Sequence, residues 1–159
     1  MSKQTATGIA IGLVLGMALC AASIRFSFEP WITPLGKTVL VVGASGLIGT
    51  AAVDAFLDAG WDVVAVSRRK PEVFSARAFT HLPVDLQDEA ACAQAFGSLG
   101  HVTHVVYTAV YEMPGLIPGW SDPRQMETNR RMIVNTLEPL LGVASLRHVT
   151  LLQGTKAYG

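Results

Sequence analysis

The stretch Gly43-Ala-Ser-Gly46-Leu-Ile-Gly49 sets its glycines three residues apart, a pattern suited to a turn that takes a diphosphate. Each glycine has its own physical reason. Gly43 permits a tight turn, Gly46 lets the backbone approach a diphosphate with no Cβ in the way, and Gly49 lets a following helix pack closely on the preceding strand. A helix opening here offers free N–H groups and a partial positive charge to phosphate oxygens. Ser45, Leu47 and Ile48 fall within the same candidate turn. A glycine-rich turn alone is a weak signal; its weight comes from having a strand before it and a helix after it.

A second stretch, Ser67-Arg68-Arg69-Lys70, follows an apolar run ending at Val66. A site for NAD wants a carboxylate there, to accept from the ribose 2′-OH. No carboxylate is present, and Asp62 lies at the opposite end of the run. Two guanidiniums instead match a 2′-phosphate, which arginine binds in forked fashion. The expected cofactor is therefore NADP(H) rather than NAD(H); the competing reading is a solvated basic turn. Asp85, followed by Leu86, is placed to accept from the adenine amino group or, more plainly, to cap a turn. Thr108, Ala109 and Val110 are small enough for backbone to lie against the nicotinamide ribose.

The apolar pattern supplies the elements that would position these groups. Residues 37–43 read as a buried parallel strand. A helical pattern follows over 47–59, with Ile48, Ala52, Phe56 and Leu57 at helical spacing and Gly60 closing it. Strands are expected at 61–66, 79–84, 102–109 and 148–153. Helices are expected at 88–96 and 122–141, the latter bent or interrupted near Pro139. Strands alternating with helices imply a parallel sheet. The expected fold is a doubly wound α/β Rossmann domain over 37–159 with strand order 3-2-1-4-5.

The first 36 residues pose a separate question. Residues 4–24 contain no charge, with Lys3 before and Arg25 after. As a helix this run would reach roughly 31 Å, close to the hydrocarbon thickness of a bilayer. Three readings fit an apolar helix in residues 1–25: a membrane anchor holding the domain on the cytoplasmic side, a signal peptide ending near residue 22 and leading to export, or a start codon placed too early before a cytoplasmic protein. Residues 26–36, with Pro30 and Pro34, read as a linker.

Composition narrows the partners. Of 159 residues, 12 are basic and 12 acidic, which leaves no field to attract nucleic acid. Cys20 and Cys92 form no disulfide framework, and no His/Cys/Asp/Glu spacing suggests a metal. A small-molecule substrate is the expected partner; oligomeric state is not legible.

Together these residues resemble the extended and atypical short-chain dehydrogenases/reductases, and within them the progesterone 5β-reductase/iridoid synthase-like enzymes. The glycine turn, Ser67-Arg68-Arg69 and Asp85-Leu86 carry the broader resemblance. The narrower one rests on residues 102–107, on Asn129-Arg-Arg-Met-Ile-Val-Asn135 and on residues 152–159. The resemblance covers 37–159 and implies NADPH-dependent reduction, often of an enone double bond, with Lys156 as the catalytic lysine. Two departures stand out: the segment before Lys156 is one residue shorter, and Val110 stands where the family often has tryptophan.

In such chemistry a tyrosine hydroxyl stabilises the enolate oxygen while a lysine lowers its pKa. The Tyr-x-x-x-Lys pair is absent, and Tyr158 follows Lys156 rather than preceding it. The active tyrosine is expected beyond Gly159, so the chain reads as the cofactor half of an oxidoreductase, a fragment expected to be inactive alone. The rivals are a non-catalytic NADP-binding regulatory module and an NAD(P)-dependent epimerase/dehydratase.

Overall fold

The computed structural model describes residues 36–115 and 122–153. The run Thr38-Val-Leu-Val-Val42 forms the central strand β1 (Thr38–Val42), buried at every position. Its neighbours are β2 (Asp62–Val66) on one side and β4 (His104–Tyr107) on the other. The short β3 (Thr80–Leu82) and β5 (His148–Leu151) lie outside them. All pairings are parallel and the order is β3-β2-β1-β4-β5, as the alternation of elements predicts. Each strand is shorter than its apolar run. Thr108, Ala109 and Val110 therefore follow β4 rather than end it.

Helix α1 (Leu47–Asp58) covers one face of the sheet. Its Val53 and Leu57 pack with Val39, Val41, Val63 and Ala65. Helices α2 (Glu89–Phe96) and α3 (Pro123–Leu141) cover the other. There Phe96, Met132 and Leu140 pack with Leu40, Val42, Val64, Val66, Val105 and Tyr107. Alternate residues of β1 thus feed opposite layers, the consequence of a two-residue strand period. A side chain removed from either layer would leave a cavity costing about 2–5 kcal/mol.

One expectation needs correction. Ile48 is not on the inner face of α1 but 54% exposed; the buried stripe runs Gly49, Val53, Leu57. Those positions recur every fourth residue, so the stripe is one position displaced from the one expected. Helix α3 ends at Leu141 as expected, and of the two outcomes considered at Pro139, a bend or an interruption, the interruption does not occur. Proline there removes one bond, its own N–H to the carbonyl of Asn135, and the helix continues for two more residues past it.

The expected apolar helix in residues 1–25, the linker up to Leu35 and Lys156 lie outside the described residues. Among those described, no helix is long and apolar enough to cross a membrane.

Candidate functional site

At the carboxyl ends of the strands, the turns after β1, β2, β3 and β4 enclose a cleft of about 480 Å³. That size lies within the range of roughly 300–1,000 Å³ common to small-molecule and cofactor sites. Position follows from topology: β1 and β4 send their connections to opposite faces, leaving a crevice between them.

The turn after β1 forms one wall. Gly43 has φ +84°, which only glycine adopts freely. A Cβ there would also sit 2.7 Å from Ala109 N and 2.8 Å from Thr108 Oγ1. The Thr108 hydroxyl holds this contact closed by donating to Val42 O at 2.8 Å. Gly49 is needed for a different reason, because a Cβ on it would fall on the Gly43 carbonyl oxygen. Gly46 is unlike both. It has ordinary extended angles, and a Cβ there would meet only Gly43 O, at 3.3 Å. Nothing inside the chain demands glycine at 46 as firmly as at 43 and 49.

Gly46 is also the N-cap of α1, and no side chain caps this helix. The amides of Leu47, Ile48 and Gly49 lie too early for an intrahelical acceptor, and no backbone carbonyl takes them. The side chains of Leu47, 91% exposed, and Ile48 do not line the cleft. Of those two residues only the backbone can serve the site.

The turn after β2 brings Ser67, Arg68 and Arg69 to the cleft. Ser67 is buried and its hydroxyl donates to Arg69 O at 2.5 Å. It stabilises the turn and is not a free group. Lys70 lies with Nζ 5.5 Å from the Phe79 ring centroid. The turn after β3 supplies Asp85, whose Oδ1 accepts from Gln87 N at 3.1 Å. Asp85 is thus a turn former that also lines the cleft, and the helix cap is Asp88, whose Oδ1 accepts from Ala91 N. Leu86 is buried beside it, and Thr108, Ala109 and Val110 close the far wall.

Several contributors were not singled out from sequence. Tyr111, Glu112, Gln87 and Met132 also line the cleft. The Asn129-to-Asn135 segment of α3 turns out to fasten its walls. Asn129 Oδ1 accepts from Tyr111 N at 2.7 Å and its Nδ2 donates to Tyr111 O at 2.8 Å. Asn135 Nδ2 donates to Leu86 O at 2.9 Å. Gln125 Oε1 accepts from Met113 N at 2.6 Å. A signal was present: Gln125, Asn135 and Thr136 are polar residues on the buried face of an amphipathic helix, where polar groups must find partners.

The titratable groups beneath the cleft are inert. Burial, then Asp88 and Asp85, pushes the Cys92 thiol up to about 11, so it stays protonated and unreactive near neutrality. Burial, then Cys92, pushes Tyr107 above its ordinary range, and among the described residues its hydroxyl has no partner. Neither is poised as an acid or nucleophile. Among the described residues, no group of three or more His, Cys, Asp or Glu side chains could hold a metal ion.

Solved structures share this fold. The enzyme WbmG of Bordetella bronchiseptica, in complex with NAD, is 21% identical, with a TM-score of 0.62 over 79% of this chain and 41% of its own. The UDP-Glc/GlcNAc 4-epimerase of Campylobacter jejuni is 18% identical, with a TM-score of 0.65 over 78% of this chain and 39% of its own. A short chain dehydrogenase of Burkholderia cenocepacia in complex with NADP is 22% identical, with a TM-score of 0.56 over 68% and 48%. The chain thus spans less than half the length of each of these three. No curated protein sequence matches it. Residues 39–153, well over half of the chain, match the family described as NAD dependent epimerase/dehydratase, and the chain belongs to that family.

Proposed function

We propose that the cleft binds NADP(H), and that this chain is the nucleotide-binding part of a reductase acting on a small-molecule enone or carbonyl. The reading is supported by the uncapped N-terminus of α1 set beside Arg68 and Arg69, with no carboxylate at the end of β2. The amides of 47–49 would receive the diphosphate, since a helix N-terminus favours anions. Gly46 leaves the room that a Cβ would fill. Arg68 and Arg69 would take the 2′-phosphate, and Oδ2 of Asp85, unbonded among the described residues, the adenine amino group. The cleft wall at 108–110 would bear on the nicotinamide ribose, held in place by Thr108 and Asn129. When bound, the cofactor supplies the hydride. By likeness to the progesterone 5β-reductase/iridoid synthase-like enzymes, Lys156 would hold the ribose hydroxyls and assist the proton donor.

Calorimetric titration with NADPH and NADH tests the reading. Wild-type protein is expected to favour NADPH by about tenfold or more, and Arg68→Ala/Arg69→Ala to remove the preference by deleting the charge-assisted bonds. Equal wild-type affinities would overturn it. Family membership favours a second reading, an epimerase or dehydratase that keeps its nicotinamide through each turnover. Purified protein that retains nucleotide through gel filtration, and converts a sugar nucleotide with no net NADPH loss, would decide for it.

A further inference from the structure

We propose that His81 is a positioning residue that sets the cofactor preference by locking the turn that carries Arg68 and Arg69; the inference rests on the NADP(H) reading above. His81 sits on the edge strand β3, paired in register with Ala65 of β2, two residues before Ser67. Its Nε2 lies 3.0 Å from the Ser67 carbonyl oxygen and 3.4 Å from Ser67 Oγ. A carbonyl can only accept, so Nε2 carries the proton and donates. Ser67 Oγ in turn donates to the Arg69 carbonyl. One relay, from imidazole to serine to arginine backbone, ties the turn to the sheet.

The rest of the turn is fastened independently. Lys70 rests on the Phe79 ring, and Asp54 Oδ1 on α1 accepts from Phe74 N and Ser75 N at 2.9 Å each. Among the described residues, the side chains of Arg68 and Arg69 make no hydrogen bond or ion pair. The ion pairs among the described residues are Arg124–Asp122 and Arg130–Glu127, so neither Arg68 nor Arg69 spends its charge on a carboxylate. Both side chains are exposed and keep their rotamer freedom. What the fold can fix is the backbone from which they start, and fixing it reduces the ordering cost of gripping a phosphate. His81 does not itself line the cleft; it bears on it only through Ser67 and the turn that carries Arg68 and Arg69. Its loss should therefore act on the 2′-phosphate alone.

The test is a set of dissociation constants for NADPH and NADH on the full chain. His81→Leu is expected to weaken NADPH about tenfold and NADH less than about twofold, since only the phosphate grip loosens. His81→Gln, whose amide can donate to the same carbonyl, should stay within about threefold of wild type for NADPH. In the Arg68→Ala/Arg69→Ala background, His81→Leu should change nothing further, as expected of residues acting through one another. Equal weakening of both cofactors, or a full His81→Leu effect without the arginines, overturns the proposal. So does a wild-type NADPH preference that His81→Leu leaves intact, and that result spares the NADP(H) reading. A wild type with no preference removes both.

Discussion

Helix α2 starts at Asp88, whose carboxylate accepts from Ala91 N at 3.0 Å, and α3 starts at Asp122, whose carboxylate accepts from Arg124 N at 2.8 Å. Helix α1 starts at Gly46, which has no side chain to offer. The first turn of α2 adds Glu89, and that of α1 holds no acid. Two helices thus satisfy their N-termini from within, and one leaves its amides and partial positive charge open. Energetics explain why the difference is tolerated. Replacing a good N-cap by alanine costs about 0.5–2 kcal/mol, but replacing it by glycine costs only a few tenths. Glycine is the one residue that opens this terminus at little cost to the fold. Of the three caps, Gly46 lines the cleft enclosed by the strand ends, and Asp88 and Asp122 do not.

The largest expected effect on stability distinguishes glycines kept for the fold from the one kept for the opening. On helix propensity alone, Gly49→Ala would stabilise α1 by about 1 kcal/mol. The Cβ would, however, fall on Gly43 O, with Ala44 Cα at 2.8 Å, and backbone on both sides cannot yield like a flexible side chain. Overpacking of this kind costs about 1–3 kcal/mol. Urea unfolding should therefore show net destabilisation of up to about 2 kcal/mol, and a stabilised variant would show that the strand and helix are less closely apposed than described.

Gly46→Asp turns the open terminus into a copy of the other two. The backbone at 46 is already extended, and the Cβ need only ease past Gly43 O at 3.3 Å. Stability should change by no more than about 0.5 kcal/mol, because aspartate improves the cap slightly. Dinucleotide affinity should fall about a hundredfold, since a carboxylate would occupy the amides and repel the diphosphate. Unchanged affinity with unchanged stability would mean that the terminus of α1 holds no phosphate.

The open start of α1 was legible in sequence, and the reason is local: Gly43, Gly46 and Gly49 act through their own backbone. The caps of α2 and α3, Asp88 and Asp122, sit one residue before their helices but were not singled out, since sequence pointed to a capping role only for Asp85. Strand order was legible too, because parallel crossovers leave few topologies. The inner stripe of α1 was not: Ile48 is as apolar as Val53, and only the tertiary fit shows which of them faces the sheet. Nor were the fastenings by Asn129, Asn135 and His81. Each joins residues 14 to 49 positions apart, and a polar residue in a helical or strand pattern does not announce the distant carbonyl it will find.

Acid sharpens the same comparison with the smallest effect. Arg124, through its guanidinium and its backbone N–H, holds Asp122 down to about 2, from an ordinary 3.8. A carboxyl depressed on folding contributes stability above its unfolded pKa and loses it as pH falls through the folded one. The cap of α3 should therefore be intact above pH about 4 and be lost as pH falls toward about 2. Gly46 has nothing to titrate, so the start of α1 should be indifferent over the same interval. Amide exchange, expressed as protection factors, separates the two helices. Arg124 N–H should lose protection between pH 4 and pH 2, while the amides of 47–49 stay as open as before. Asp122→Asn, which can still accept a hydrogen bond but cannot ionise, should abolish the pH dependence without abolishing the cap. Constant protection of Arg124 across that range would show that the fork between Arg124 and Asp122 is not what holds the helix start in place.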